Sequence, residues 1–278
     1  MQIFKTKSDL SSYLSSLADS LIGFVPTMGA LHNGHLELLR QAKKQCSVVV
    51  CSIFVNPTQF SNKEDFNSYP NTLSDDITKL EKINCDVLYV PDVSDLYAIN
   101  EKAKHFNFNG LDPQMEAKFR KGHFDGVATI IEKFFNIIKP HKAYFGQKDL
   151  QQLLVVKQLT KQLNLPIEIV SVPTIREENG LAMSSRNKLL SPKHLETASM
   201  LYKSLEFCKA NKGKFSITDL KNRIKTQFSE QLEVDLEYLE FVNSNSLQTI
   251  SVFKENGDNA ICIAAFVGRV RLIDNIIF

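Results

Sequence analysis

Short apolar, β-branched runs alternate with longer segments of helical period through the first two thirds of the chain. LIGFVPT precedes HLELLRQAKKQ and SVVVCSIF precedes TLSDDITKLEKIN; DVLYVP is followed in turn by VATIIEKFFNIIKP, KAYF, LQQLLVVKQLTKQL and IEIVSV. Such alternation predicts a parallel sheet with crossover helices. After Asp125, the residues Val127, Ile130, Ile131, Phe134, Phe135 and Ile138 return at helical spacing until Pro140 ends the pattern. The nearly continuous apolar character of SVVVCSIF fits a strand covered on both faces. The expected fold class is therefore α/β, a doubly wound (Rossmann-like) parallel sheet with ligands beyond the carboxyl ends of its strands. Ahead of it, MQIFKTKSDLSSYLSSLADS reads as a strand and an amphipathic helix capped by Ser8 or Asp9.

From about Ile175 the pattern changes. PKHLETASMLYKSLEFCKA and SITDLKNRIKTQFSE read as helices, and DLEYLEFVN, NAICIAAFVG and VRLIDNIIF as strands, with a turn at Asn256 and Gly257. Adjacent strands after helices predict a second, smaller α+β domain over 176–278, following the Rossmann-like domain over 1–175.

Composition narrows the partners. The 278 residues carry 33 Lys and Arg against 31 Asp and Glu, a net charge of +2 with no run of basic residues. This gives no electrostatic footprint for nucleic acid or an anionic membrane and points to small molecules. No stretch approaches the roughly 20 apolar residues of a membrane helix, and the N-terminus lacks the order of a signal peptide, so a cytoplasmic location is expected. Cys46, Cys51, Cys85, Cys208 and Cys262 are odd in number and share no CxxC spacing, which predicts buried free thiols rather than disulfides or zinc.

Four segments that follow predicted strands carry the candidate chemistry. The first, Pro26-Thr27-Met28-Gly29-Ala30-Leu31-His32-Asn33-Gly34-His35, runs into a helix expected to begin near Leu36. Its glycines permit close backbone approach, a helix N-terminus favours anions, and two imidazoles three residues apart can face one anion. It reads as a phosphate site without a Walker lysine, or as a turn with one surface and one capping histidine. In Phe54-Val55-Asn56-Pro57-Thr58-Gln59-Phe60, a neutral amide can hold a hydroxy acid without neutralising its carboxylate, which stays nucleophilic; the alternative is a polar turn. In Gly146-Gln147-Lys148-Asp149-Leu150-Gln151-Gln152, Lys148 can meet phosphate, Asp149 can accept ribose hydroxyls or cap a helix, and Gln152 lies about one turn further on. Leu181-Ala182-Met183-Ser184-Ser185-Arg186 offers two hydroxyls and a guanidinium as a clamp for a polyphosphate leaving group, or a Ser-rich helix cap.

Together, PTMGALHNGH, FVNPTQF with EDFNSYPNT behind it, GHFDGVAT, AYFGQKDLQQL and GLAMSSRN closely resemble the pantothenate synthetase (pantoate–β-alanine ligase) family, in its order and spacing. The likeness is close over roughly 22–190 and looser beyond, through GRVRLIDN. The family belongs to the nucleotidyltransferases related in fold to class I aminoacyl-tRNA synthetases, whose HxGH and MSxS signatures resemble His32 to His35 and Met183 to Arg186. Asn33 and Gln147 stand where acidic residues are usual, Ser61 where Gly is common and Asn71 where Arg is usual; none removes a group the reaction would use.

The resemblance implies ATP-dependent condensation of pantoate with β-alanine through a pantoyl adenylate. It implies His35 as principal catalytic histidine, with His32 and Lys148 beside it in the chemistry. It places ATP on Met28, Gly29, Ala30, Leu31, His32, Asn33, Gly34 and His35, on Gly146, Gln147, Lys148 and Asp149, and on Ile175, Met183, Ser184, Ser185 and Arg186. It places pantoate on Gln59 and Gln152, and β-alanine near Gln59. Mg2+ is expected on the triphosphate, held mostly by phosphate oxygens and water, with Asp75 and Asp76 either outer partners or simply a helix N-terminal pair. A homodimer is expected. The HxGH loop alone also fits an enzyme moving AMP to a phosphate acceptor, which would need Lys or Arg at the acceptor site, or a non-catalytic nucleotide-binding protein.

Overall fold

A computed structural model describes residues 1–17, 19–255 and 257–278. The first residue of the turn expected at Asn256 and Gly257 lies outside the described residues; Gly257 itself has φ +88.

Six strands, β1 (Gln2–Phe4), β2 (Ile22–Thr27), β3 (Val48–Ile53), β4 (Val87–Tyr89), β5 (Lys142–Gly146) and β6 (Glu168–Val172), form one parallel sheet in the order β1-β4-β3-β2-β5-β6. The chain walks outward from β2 through β3 to β4, then returns to the other side of β2 with β5 and β6. This reversal is the switch point of a doubly wound sheet, where loops leave neighbouring strands in opposite directions and open a crevice. The ladder between β2 and β5 holds only Gly23 with Lys142 and Phe24 with Ala143, so the two strands part before their carboxyl ends.

Period-two alternation covers both faces. Val25, Val49, Cys51 and Leu88 share a core with Leu36 and Leu39 of the Asn33–Gln45 helix. One residue earlier, Phe24 points to the other side, 5.5 Å from Phe134 and 6.4 Å from Phe135 of the His123–Ile138 helix. The rings meet edge to face, the arrangement their quadrupoles favour.

In the C-terminal part, β7 (Val234–Asn243), β8 (Asn259–Val267) and β9 (Val270–Ile277) form an antiparallel sheet in that order. Ile261, Ile263 and Ala265 of β8 share a core with Leu201 and Leu205 of the Met200–Ala210 helix and Leu220, Ile224 and Phe228 of the Ile217–Ser229 helix. Gly268, at φ +59, opens the two-residue turn between β8 and β9.

The described chain divides into two compact units, one of Met1–Gln147 with Gln151–Pro173 and one of Lys148–Leu150 with Thr174–Phe278. Lys148, Asp149 and Leu150 thus group with the C-terminal unit rather than with the strand they follow, which departs from a simple division of 1–175 from 176–278. Smaller departures have local causes. The first helix, Lys7–Ser15, is capped by Thr6, whose hydroxyl accepts from Asp9 N at 3.2 Å, not by Ser8 or Asp9. PKHLETASMLYKSLEFCKA breaks at the buried Ser199, whose hydroxyl donates to Glu196 O at 2.7 Å and leaves two helices, Pro192–Ala198 and Met200–Ala210. All five thiols are free; Cys51, Cys85, Cys208 and Cys262 are buried and Cys46 is half-buried.

Candidate active site

The loop after β2 turns through two left-handed residues, Gly29 at φ +82 and Ala30 at φ +49. A non-glycine residue there is strained by roughly 1–2 kcal/mol, so something must hold it. That anchor is Asp76, fully buried on the Leu73–Lys82 helix, whose Oδ2 accepts from Ala30 N and whose Oδ1 accepts from Leu31 N, both at 2.8 Å. Thr72 adds a hydroxyl at 3.2 Å, and Lys79 donates to Leu31 O at 2.9 Å. Successive amides in this conformation form a concave anion site, but the anion they hold is an internal carboxylate. Gly29 N likewise donates to Thr27 Oγ1 at 3.2 Å. The amides of Gly29, Ala30 and Leu31 therefore bond within the fold. Asp75 and Asp76 form the expected acidic pair in the first turn of that helix, and Asp76 is in addition the anchor of this loop.

The following helix starts at Asn33, three residues before Leu36, because His32 caps it. Gly34 N donates to His32 Nδ1 at 3.1 Å and His32 N donates to His35 Nδ1 at 3.4 Å, a reciprocal capping box built from two imidazoles. A backbone N–H can only donate, so both Nδ1 atoms accept and the proton of each neutral ring sits on Nε2. The ring centroids lie 4.0 Å apart at an interplanar angle of 33°. Asn33 is exposed; Met28, Gly34 and both histidines are half-buried.

The turn after β3 is more elaborate than a polar loop. Gln59, on the Pro57–Gln59 turn, is buried; its Oε1 accepts from Asn56 Nδ2 at 3.1 Å and its Nε2 lies 2.9 Å from Met28 Sδ. Asn56 also donates to Gly126 O at 3.1 Å and accepts from the Tyr97 hydroxyl at 2.7 Å. The Gln59 carbonyl oxygen takes a bond from His123 Nδ1 at 2.9 Å, and Arg120 reaches His123 Nε2 at 3.1 Å. Gly126 lets the helix approach: a Cβ there would sit 2.3 Å from Thr58 O. Sequence reasoning noted GHFDGVAT as a shared motif without a role; its role is to clamp this turn. Asn56 lies in a candidate segment without a role of its own, and His123 and Gly126 have no local signal beyond the motif.

Gly146 ends β5, and Gln147–Asp149 form a 3₁₀ turn ahead of the Leu150–Gln162 helix. Lys148 Nζ rests 3.2 Å from Asp149 Oδ1. The adjacent glutamines diverge, as residues about 100° apart on a helix must. Gln151 is buried, donating to Leu111 O and Gln114 O at 2.6 and 2.9 Å, whereas Gln152 is half-buried.

In the C-terminal unit, a hairpin pairs Arg176 with Ala182, and Met183 N donates to Ile175 O at 3.0 Å. Ser184 caps the 3₁₀ turn Ser185–Leu189, accepting from Arg186 N at 3.3 Å; Ser185 is buried and Arg186 half-buried. Among the described residues, no group of three or more His, Cys, Asp or Glu could hold a metal ion.

The family model described as pantoate-beta-alanine ligase matches residues 2–277. The pantothenate synthetase of Cytophaga hutchinsonii is 46% identical over 258 residues, 92% of this chain and 91% of that one. That of Azobacteroides pseudotrichonymphae is 42% identical over 281 residues and all of both chains. Among solved structures, the pantothenate synthetase of Thermus thermophilus superposes with a TM-score of 0.93 at 36% identity over 99% of each chain. The pantoate-beta-alanine ligase of Francisella tularensis, complexed with beta-gamma ATP and beta-alanine, gives 0.84 at 37% identity over 100% of this chain and 97% of that one.

Proposed function

The chain belongs to the pantoate–beta-alanine ligase family and catalyses the ATP-dependent joining of pantoate to beta-alanine, and we propose that it does so in two steps through a pantoyl adenylate. In the first, a pantoate carboxylate oxygen attacks the α-phosphorus of ATP and the bond to pyrophosphate breaks. In the second, the neutral amine of beta-alanine attacks the acyl carbon, the bond to AMP breaks and the amine loses a proton.

Charge accumulates on the α-phosphate and on the departing pyrophosphate, so fixed donors there lower the barrier most. His32 and His35 supply two Nε2–H donors to these oxygens, with His35 the principal catalytic residue. Lys148, Ser184, Ser185 and Arg186 meet the pyrophosphate, Asp149 the ribose, and Ile175, Met183 and the loop from Met28 the rest of the nucleotide. Gln59 and Gln152 hold pantoate, and Gln59 also lies toward beta-alanine. Mg2+ enters with ATP as part of the substrate, held mostly by phosphate oxygens and water. The protein works as a cytoplasmic homodimer, for which sedimentation should read twice the chain mass.

The reciprocal histidine cap carries this reading, because it fixes two imidazoles side by side at the helix N-terminus with both Nδ1 atoms turned to the backbone. The neutral partners of Gln59, Asn56 and Met28, favour a hydroxy acid over a phosphate acceptor. His35→Asn tests it: an Asn oxygen can replace Nδ1 in the cap while Nε2 is lost. Single-turnover formation of pantoyl adenylate, trapped by hydroxylamine, should fall by about two to three decades, the usual cost of one such donor. Unchanged formation would remove His35 from the chemistry.

A further inference from the structure

We propose that Asn275, held in place by Asp274 and Arg176, is a positioning residue for the nucleotide step: it fixes the backbone of Lys148 and belongs to the same bonded cluster that fixes the hairpin leading to Ser184. The proposal rests on the assignment of Lys148 and Ser184 to the nucleotide.

The starting observation is a polar pair in an apolar strand. Asp274 and Asn275 are consecutive in LIDNII of β9, and both are buried, at 3% and 5% exposure. Buried polar groups cost free energy unless bonded, so their partners reveal what the pair is for. β9 is the edge of its sheet, and there the Asn275 side chain donates from Nδ2 to the backbone oxygen of Lys148 at 2.7 Å, 127 residues away in sequence. Lys148 to Leu150 group with this C-terminal unit. Asn275 N donates to Asp274 Oδ1 at 2.7 Å, and the Asn275 carbonyl accepts from Arg176 Nη2 at 3.2 Å.

Arg176 closes the cluster. Its guanidinium bonds Asp274 through both nitrogens, Nη1 to Oδ2 at 2.6 Å and Nη2 to Oδ1 at 3.0 Å, and Nη1 also donates to Gly180 O at 3.1 Å. It stacks 3.8 Å from the Tyr202 ring. Burial raises the Asp274 carboxyl from its ordinary value, and the Arg176 hydrogen bonds and charge oppose that rise. Arg176 is one half of the bridge to Ala182, so the cluster fixes both ends of the hairpin that delivers Met183 and Ser184. One edge of one strand thus sets the main chain under two segments of the leaving-group machinery. Catalytic groups tolerate about 0.5 Å of misplacement, and roughly 1 Å can cost about 10²-fold in rate, so a backbone anchor of this kind acts on turnover without touching substrate.

The test is a double-mutant cycle on full-length protein, reading pyrophosphate release with pantoate and Mg·ATP and, separately, aminolysis of preformed pantoyl adenylate. Asn275→Ala should slow adenylate formation about 10- to 100-fold and leave aminolysis and the pantoate KM within about twofold. In a Lys148→Ala background, Asn275→Ala should slow adenylate formation by less than half as many decades as it does alone, since the side chain it positions is gone. Equal slowing of both half-reactions, or full additivity with Lys148→Ala, would overturn the proposal. Lys148→Ala without effect on adenylate formation would instead overturn the assignment of Lys148. Should Asn275→Ala fail to fold, Asn275→Asp, of equal size but with an acceptor facing the Lys148 carbonyl, is read in the same cycle and must show the same split.

Discussion

Asp76→Asn should release the loop that carries His32 without enlarging any space. The carboxylate makes two bonds to backbone amides, each contributing about 1.5–3 kcal/mol because the acceptor is charged. Together they outweigh the roughly 1–2 kcal/mol of strain in left-handed Ala30. The amide keeps one oxygen, for a neutral bond of about 0.5–1.5 kcal/mol, and turns an NH2 toward the other N–H, leaving a buried donor unpaired at about 1–3 kcal/mol. Restraint and strain are then comparable, and Ala30 and Leu31 no longer have one favoured arrangement. Global stability should fall by about 2–4 kcal/mol in urea, and adenylate formation by about one to two decades as the histidine pair loses its fixed position. Hydrogen exchange read at Ala30 and Leu31 is the decisive assay, because it sees the loop directly. Wild-type protection at both amides in the Asn variant, with wild-type turnover, would refute the argument that Asp76 sets this conformation.

Gly126→Ala places a methyl 2.3 Å from Thr58 O, against backbone that cannot move aside; it should destabilise by about 1–3 kcal/mol or more and raise the pantoate KM ahead of the ATP KM, and equal KM values for wild type and variant would contradict the clamp. Gln152→Ala should raise the pantoate KM by about one decade, whereas Gln151→Ala should lower thermal stability with little change in KM, because Gln151 ties down 111–116. At pH 8 a soluble maleimide should modify Cys46 first: burial pushes the Cys85 thiol up to about 11 and Cys208 up to about 12, and mass spectrometry of early adducts at either would argue against their burial. His105 Nδ1 donates to Asp125 Oδ2 at 3.1 Å, and this hydrogen bond and charge raise the imidazole above its ordinary 6.5. Its contribution to stability is therefore complete below 6.5 and lost as pH rises through the raised value, and Asp125→Asn should return the NMR midpoint toward 6.5.

Period was the readable part of the fold. The two-residue alternation that sends Phe24 to one face and Val25 to the other, and the helical return of Val127 to Ile138, are written in neighbouring residues, so fold class and strand ends followed from the sequence. The loops after β2, β3 and β5 were legible as candidates because that fold puts ligands there. What stayed hidden depends on partners distant in the chain. Asp76 meets the loop across 45 residues, and Asn275 meets Lys148 across 127. Neither separation leaves a local signal, so Asp76 read as a helix-terminal charge and the last strand as apolar filling. Gln151 and Gln152 show the limit at shortest range, since identical neighbours cannot reveal which way a helix turns them.

An anion site made of main-chain amides survives almost any substitution, because every residue but proline carries the same donor. The loop after β2 has given those donors to Asp76, and in the proposed reading its phosphate recognition lies mainly in the side chains of His32 and His35. Under the proposed roles, both the recognition there and the shape beneath it rest on single side chains, the first on His32 and His35 and the second on Asp76. If the histidines act as proposed, a single base change at either would silence the chemistry and leave a folded scaffold with its Gln59 turn intact. Divergence of such a chain toward binding without turnover would therefore begin at His32 or His35, while Asp76 and Gly29, which serve the shape, would be the last to change.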